Sequence, residues 1–259
     1  MTYWLLITFT GFVASMVDGG LGMGFGPISS SLLLSLGVGT AAMSTIVNLA
    51  QAVTAGASAI ANFKLQNYNL KIVRHLVIAG VPGGVIGSYI ATRYQNISGM
   101  KIIIAVVLLG MGLLIIYKTV LRKTTPATTD IANPQSPYSL PRLRHIWSTG
   151  LLGGFFSALA GSWGPIVTGP LLMYNSSPRK TIGSVNIAEF AVRSFNVIAL
   201  LFFLKSVNVT LAIPLMIGGV IAAPIAVMTI KKIPHKMVGL GAGILIVGLS
   251  LLTIFKSLF

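Results

Sequence analysis

Six stretches of this chain, roughly 40–61, 73–93, 99–120, 180–204, 208–230 and 236–257, are apolar over about the 20 residues that a helix needs to cross hydrocarbon. Segments of this length predict spanning helices. The chain reads as an all-α polytopic membrane protein. Its residues are 54% hydrophobic and only 8% charged, against about 25% charged in soluble domains, which excludes a soluble core. A net charge of +15 in a soluble protein would suggest nucleic acid. Here the bases fall in short loops between apolar segments, as in polytopic proteins that orient by charge. The expected partner is the bilayer, with no nucleic acid. The chain has no cysteine, so it forms no disulfide or thiolate metal site. The start, "MTYWLLITFTGF", lacks a basic region ahead of its apolar run and does not read as a cleaved signal peptide.

Two further segments, about 3–36 and 146–176, are too long for one span and too short for two. Each is interrupted in its middle, at "GGLGMGFGP" and at "AGSWGP". Glycine costs a helix interior about 1 kcal/mol and proline about 3, and a break facing lipid strands backbone amides. Two half-helices meeting inside the membrane, as a re-entrant hairpin, reconcile these demands. Between the two halves of the chain, residues 122–145 carry four prolines and no helical periodicity, and read as a mobile linker loop. The expected organisation is a first membrane repeat over 1–121, the linker over 122–145, and a second repeat over 146–259.

The halves repeat. With Pro27 set on Pro165, an offset of 138, residues 24–51 align with 162–189 without a gap and share eight identities in 28 positions. Gly26, Pro27, Ile28, Leu33, Leu34, Val47, Asn48 and Ala50 fall on Gly164, Pro165, Ile166, Leu171, Leu172, Val185, Asn186 and Ala188. The tetrapeptide "GGVI" also recurs, at 83–86 and 218–221. If each interrupted segment is re-entrant, each half crosses three times, and the second half is inverted relative to the first. Of the 18 Lys and Arg, Arg193 lies within a span, four (Arg93, Lys101, Lys205 and Lys256) fall on one side and the remaining thirteen on the other. A single crossing of each interrupted segment would split them ten to seven. The positive-inside rule prefers the first arrangement, with both termini outside and the 122–145 loop cytoplasmic. Inverted repeats with broken helices around a midplane site are a common transporter architecture.

The stretch "MVDGGLGMGFGPISSSLLLSLGVGTAAMSTIVNLAQAVTAGASAIANFKLQNYN" resembles the TauE/SafE family of sulfite and organosulfonate exporters, and "GGFFSALAGSWGPIVTGPLLMYNSSPRKTIGSVNIAEF" is similar to that family's second repeat. The resemblance covers nearly the whole chain. It implies a permease of the cytoplasmic membrane that handles small sulfur-containing anions.

The residues themselves also favour an anion. Proline suits the first position of a helix, so helices should begin at Gly26–Pro27 and Gly164–Pro165, presenting freed amides and a positive dipole end of about half a charge. Ser29, Ser30, Ser162 and Thr168 lie within about a turn of those starts and either donate to the anion or bond back to their own helix. Trp163 falls within the second break. Asn48 and Asn186 recur at equivalent places, as ligands or as interhelical glue. Glu189 and Arg193 stand one helical turn apart inside a span, where a charge costs about 2.5–3.5 kcal/mol. They are either a self-neutralising pair or a coupling acid and an anion counter-charge. Asp18 ends the first half-helix and either receives the freed amides or carries a proton.

His75, His145 and His235 sit at membrane boundaries beside basic loops, away from the serines of the breaks, which argues against an intramembrane hydrolase. Neither H-E-x-x-H nor a nucleotide-binding G-x-x-x-x-G-K-[ST] is present. No cofactor or metal is expected. The reading is a secondary transporter exporting sulfite or an organosulfonate by alternating access, coupled to protons or driven by membrane potential. A passive anion channel is the rival.

Overall fold

The computed structural model describes residues 2–121, 143–173, 178–204, 208–229 and 235–258. They form ten helices and, among the described residues, no strand. The first half contains α1 (Thr2–Leu21), α2 (Phe25–Ser35), α3 (Thr40–Lys64), α4 (Leu70–Arg93) and α5 (Ser98–Leu121). The second contains α6 (Leu143–Ala160), α7 (Gly164–Met173), α8 (Pro178–Leu204), α9 (Ala212–Thr229) and α10 (His235–Leu258). Each half is thus a broken pair followed by three helices. Five of the six expected spans are long and apolar enough to cross a membrane, within α3, α4, α5, α8 and α10. The sixth is the 18-residue α9. Most of the expected linker lies outside the described residues; its last residues, Leu143 to His145, already belong to α6.

Both interruptions fall where the glycines predicted them. Each contains a glycine in the left-handed region, Gly22 at φ 66° and Gly161 at φ 67°, which a side chain would strain. The helices restart slightly before the prolines. Gly24 O accepts the first helical bond of α2 from Ile28 N, and Trp163 O that of α7 from Val167 N. Pro27 is therefore the third residue of its helix and Pro165 the second. Within the first turn the missing N–H has no intrahelical acceptor to lose. In a continuous helix positions 153 and 167 would stand about 21 Å apart, yet Val167 Cγ2 lies against Gly153. The α7 segment therefore doubles back along α6.

The halves interlock by exchange. α4 packs on α6 and α9 on α1, while α5 packs on α10 and α3 on α8. Swapping the halves turns the first contact into the second and leaves the other two unchanged. The repeated "GGVI" explains the first two at atomic detail. Gly83 abuts the Leu151 carbonyl and Phe155 N, and Gly218 abuts the Thr8 carbonyl and Phe12 N, with no room for a Cβ at either. Lys118 and Lys256, also 138 apart, reach across in the same way. Lys256 Nζ donates to Ser35 O at the end of α2 at 3.2 Å, and Lys118 Nζ lies against Gly169 of α7. A cation near a helix C-terminus complements its dipole.

The polarity of the bundle suits lipid. Phe202 is 78% exposed, whereas Arg193 is 0% exposed. Large apolar side chains cover the outside of the bundle, whereas Glu189, Arg193 and many hydroxyls and amides are buried between helices.

Candidate functional site

The two breaks meet at the centre of the molecule. Gly26 abuts the Gly161 carbonyl, and Gly164 abuts the Gly22 carbonyl and Met23. Thr168 Oγ1 donates to Gly22 O at 3.4 Å. Ser30 Oγ lies against Gly161. The close contact follows from the glycines, since side chains at these positions would force the breaks apart.

Asp18 receives freed amides. Its Oδ1 accepts from Gly24 N at 2.9 Å and Phe25 N at 3.3 Å, which caps α2 with a carboxylate at its positive end. The second half has no equivalent, because residues 143–163 contain no Asp or Glu.

Beside the breaks, α3 and α8 carry a buried polar network. Arg193 Nε donates to Glu189 Oε1 at 2.9 Å, Nη1 to Asn48 Oδ1 at 3.1 Å, and Nη2 to Gly161 O at 3.3 Å. Arg193 thus ties the second break to both central helices. Glu189 Oε1 also accepts from Gln51 Nε2 at 3.0 Å. Asn48 is saturated. Its amide donates to Ser44 O and Ser157 O at 2.8 Å each, and its oxygen accepts from Arg193, from Ser157 Oγ at 3.1 Å and from Asn196 Nδ2 at 3.3 Å. A guanidinium has five N–H donors, and three bonds are described for Arg193.

Several buried donors remain unanswered. Ser29 Oγ, Ser30 Oγ, Ser162 Oγ and Trp163 Nε1 have no hydrogen-bond partner among the described residues, and all four side chains are fully buried. Helical hydroxyls commonly bond back to a carbonyl of their own helix, as Thr45 does to Ala41 O at 2.8 Å and Ser35 to Leu32 O at 2.8 Å. Ser29 and Ser30 do not. A buried polar group without a partner costs about 1–3 kcal/mol. Ser30, against Gly161, and Ser162, next to it in the chain, offer donors at the meeting breaks that suit an oxyanion, which only accepts. The Trp163 ring packs beside Gly80 and Gly153 among Val167, Leu171 and Val192. The Thr40 and Ser88 hydroxyls, in α3 and α4, are likewise buried and without a partner among the described residues.

The structure brings together Asp18, Gly26, Ser30, Asn48, Ser162, Gly164, Thr168, Glu189 and Arg193. Asn186 is half-buried, and no hydrogen bond of the network described here goes to it. Pro165 lines a cavity of about 390 Å³ between α5, α6 and α7, together with Leu114, Lys118, Thr149, Leu152 and Ile166. Three network members, Gln51, Ser157 and Asn196, were not singled out from the sequence. Asn196 had a signal: with Glu189 and Arg193 it completes an i, i+4, i+7 face of one helix. Ser157 had none, since its partner Asn48 lies 109 residues away. No group of three His, Cys, Asp or Glu able to hold a metal occurs among the described residues.

A family model described as sulfite exporter TauE/SafE matches residues 7–253. The curated "Probable membrane transporter protein YtnM" of Bacillus subtilis (strain 168) is 33% identical over 246 residues, covering 92% of this chain and 78% of that protein. No solved structure matches the chain. With its apolar helices and broken pairs, this chain belongs to the sulfite exporter TauE/SafE family and is a multi-pass membrane protein of a transporter family.

Proposed function

We propose that the chain is a secondary transporter of the cell membrane that exports a small sulfur-containing anion, sulfite or an organosulfonate, from a site where the two breaks meet. The observation that carries this reading is the pair of unpartnered buried hydroxyls at the second break, Ser30 against Gly161 and Ser162 next to it, where Arg193 Nη2 also reaches the Gly161 carbonyl. The anion takes the Ser29 and Ser30 hydroxyls on one half and Ser162 and the α7 amides on the other. Gly26 and Gly164 let the breaks close around it, and Pro27 and Pro165 start the half-helices without wasting a donor. Asn48 holds Arg193 in place, Thr168 and Trp163 border the second break, and Asn186 offers a further polar contact along the path.

Alternating access is favoured over an open channel because these donors are fully buried in this conformation. A two-state exchange then opens them to one side at a time. The inverted-repeat arrangement is supported by the offset of 138 shared by Lys118 and Lys256, each of which reaches the half-helix of the opposite half, Lys256 at the end of α2 and Lys118 at the middle of α7. The same arrangement puts both termini outside and the 122–145 loop in the cytoplasm. Glu189 is the coupling acid of this scheme, with Asp18 as a fixed cap. A divalent anion leaving an inside-negative cell is already driven outward by about 2.3 kcal/mol per charge per 100 mV, so proton coupling adjusts the driving force rather than supplying it.

The test is sulfite flux in proteoliposomes at clamped membrane potential, with and without a proton gradient, for wild type and Glu189→Gln. Gradient-sensitive flux in wild type that loses its sensitivity in the variant supports the reading. An absence of sulfite and sulfonate flux in wild type overturns it.

A further inference from the structure

The proposed anion site contains an unpartnered group of the wrong polarity. Gln51 Oε1 is buried and has no hydrogen-bond partner among the described residues. It faces the start of α2, 3.3 Å from where a Cβ on Gly26 would sit. An unpartnered carbonyl oxygen beside an oxyanion repels it. The other end of the same amide explains the orientation, because Gln51 Nε2 donates to Glu189 Oε1 at 3.0 Å. An ionised carboxylate can only accept. While Glu189 is charged, the amide must turn its N–H toward the acid and its oxygen toward the break.

A protonated carboxyl carries an O–H and can donate. The amide is then free to invert, with Oε1 accepting the Glu189 proton and the –NH2 facing the break. We infer that Gln51 is a positioning residue that converts the charge of Glu189 into the polarity of the anion site, presenting an acceptor when Glu189 is ionised and a donor when it is protonated. This inference rests on the anion reading of the two breaks.

The surrounding charges act in the same direction. The charged groups facing Glu189 are Arg193 on its own helix and Asp18 from the first break. The stretches of the neighbouring helices at this depth, 41–63 of α3, 76–92 of α4, 146–160 of α6 and 164–173 of α7, contain no Asp, Glu, Lys, Arg or His. A proton on Glu189 therefore releases the Arg193 charge and adds a hydrogen-bond donor at once. Coupling of this sign moves one proton in the same direction as the anion. A divalent anion would leave with one net negative charge, still driven outward by an inside-negative potential.

The test is calorimetric binding of methanesulfonate, whose charge does not change with pH, to the purified full chain from acid to alkaline pH. Wild-type affinity should rise about tenfold on acidification, the worth of one charge-assisted hydrogen bond. Glu189→Gln, whose amide can donate as the protonated acid does, should bind tightly at all pH values. Gln51→Met should bind with a pH response reduced at least threefold. Infrared difference spectra of wild type give a second readout. The side-chain amide band should shift on acidification and stay fixed in Glu189→Gln. A full wild-type pH response in Gln51→Met, a pH-independent wild type, or an unshifted amide band would each overturn the role of Gln51. Wild type that binds neither methanesulfonate nor sulfite at any pH would overturn the anion reading beneath it.

Discussion

Gln51 and Glu189 are 138 residues apart in the chain, the offset that aligns its two halves, and they are joined by a 3.0 Å hydrogen bond. Positions equivalent under that alignment thus touch where α3 packs on α8. One copy carries an amide there and the other a carboxylate. The charge introduced on one side of this contact brings Arg193 with it, and Arg193 in turn reaches the second break.

Removing one charge of the buried pair should be costly. Glu189→Leu leaves Arg193 fully buried without its counter-charge and should destabilise by about 3–5 kcal/mol. Glu189→Leu/Arg193→Leu should recover much of that loss, because no lone charge remains. Thermal unfolding in detergent of the two single variants and the double variant measures this coupling. Additive losses would show that the pair is not energetically linked.

The two asparagines should behave differently despite their equivalent positions. Asn48 makes five described hydrogen bonds, and Asn48→Ala orphans several buried partners at about 1–3 kcal/mol for the leading one. Asn186 is half-buried, and Asn186→Ala should stay within about 0.5 kcal/mol. Unfolding temperatures of the two variants provide the comparison.

Asp18 acts here as a cap, and a cap tolerates an isosteric amide. Asp18→Asn retains an acceptor for Gly24 and Phe25 N–H and should keep proton-gradient sensitivity of flux, while Asp18→Ala should lose about 1 kcal/mol of stability. Gradient sensitivity lost in Asp18→Asn but kept in Glu189→Gln would move the coupling proton to the first break.

Topology can be read directly because the chain has no native cysteine. An impermeant thiol reagent added to intact cells should label Arg93→Cys and Lys256→Cys. Lys64→Cys and Arg144→Cys should react only after permeabilisation. Reaction of Lys256→Cys only after permeabilisation, together with Lys64→Cys and Arg144→Cys, would contradict the inverted arrangement.

Much of this architecture was legible in the sequence for simple reasons. Apolar runs of about 20 residues have few alternatives to spanning helices, and Gly22, Gly26, Gly161 and Gly164 mark breaks that no continuous helix would keep. The i, i+4 spacing put Glu189 beside Arg193. What was not legible depended on side chains meeting across the bundle. Asn48 and Asn186 looked alike, yet only Asn48 faces Ser157 and Arg193, 109 and 145 residues away. Gln51 was visible only as the counterpart of Glu189, and nothing local to it indicates that the two touch. The prolines were read one or two positions too early in their helices, because any place in the first turn spares the missing N–H.

The most direct test concerns the unpartnered hydroxyls. Sulfite efflux from loaded proteoliposomes should be measured for wild type, Ser30→Ala/Ser162→Ala and Thr45→Val, whose hydroxyl is already satisfied within its own helix. If the meeting breaks hold the anion, the double variant should show KM raised about tenfold or more, from two lost hydrogen bonds of about 1 kcal/mol each, while Thr45→Val transports as wild type. Wild-type KM in a folded Ser30→Ala/Ser162→Ala protein would contradict the account and move the anion site away from the breaks.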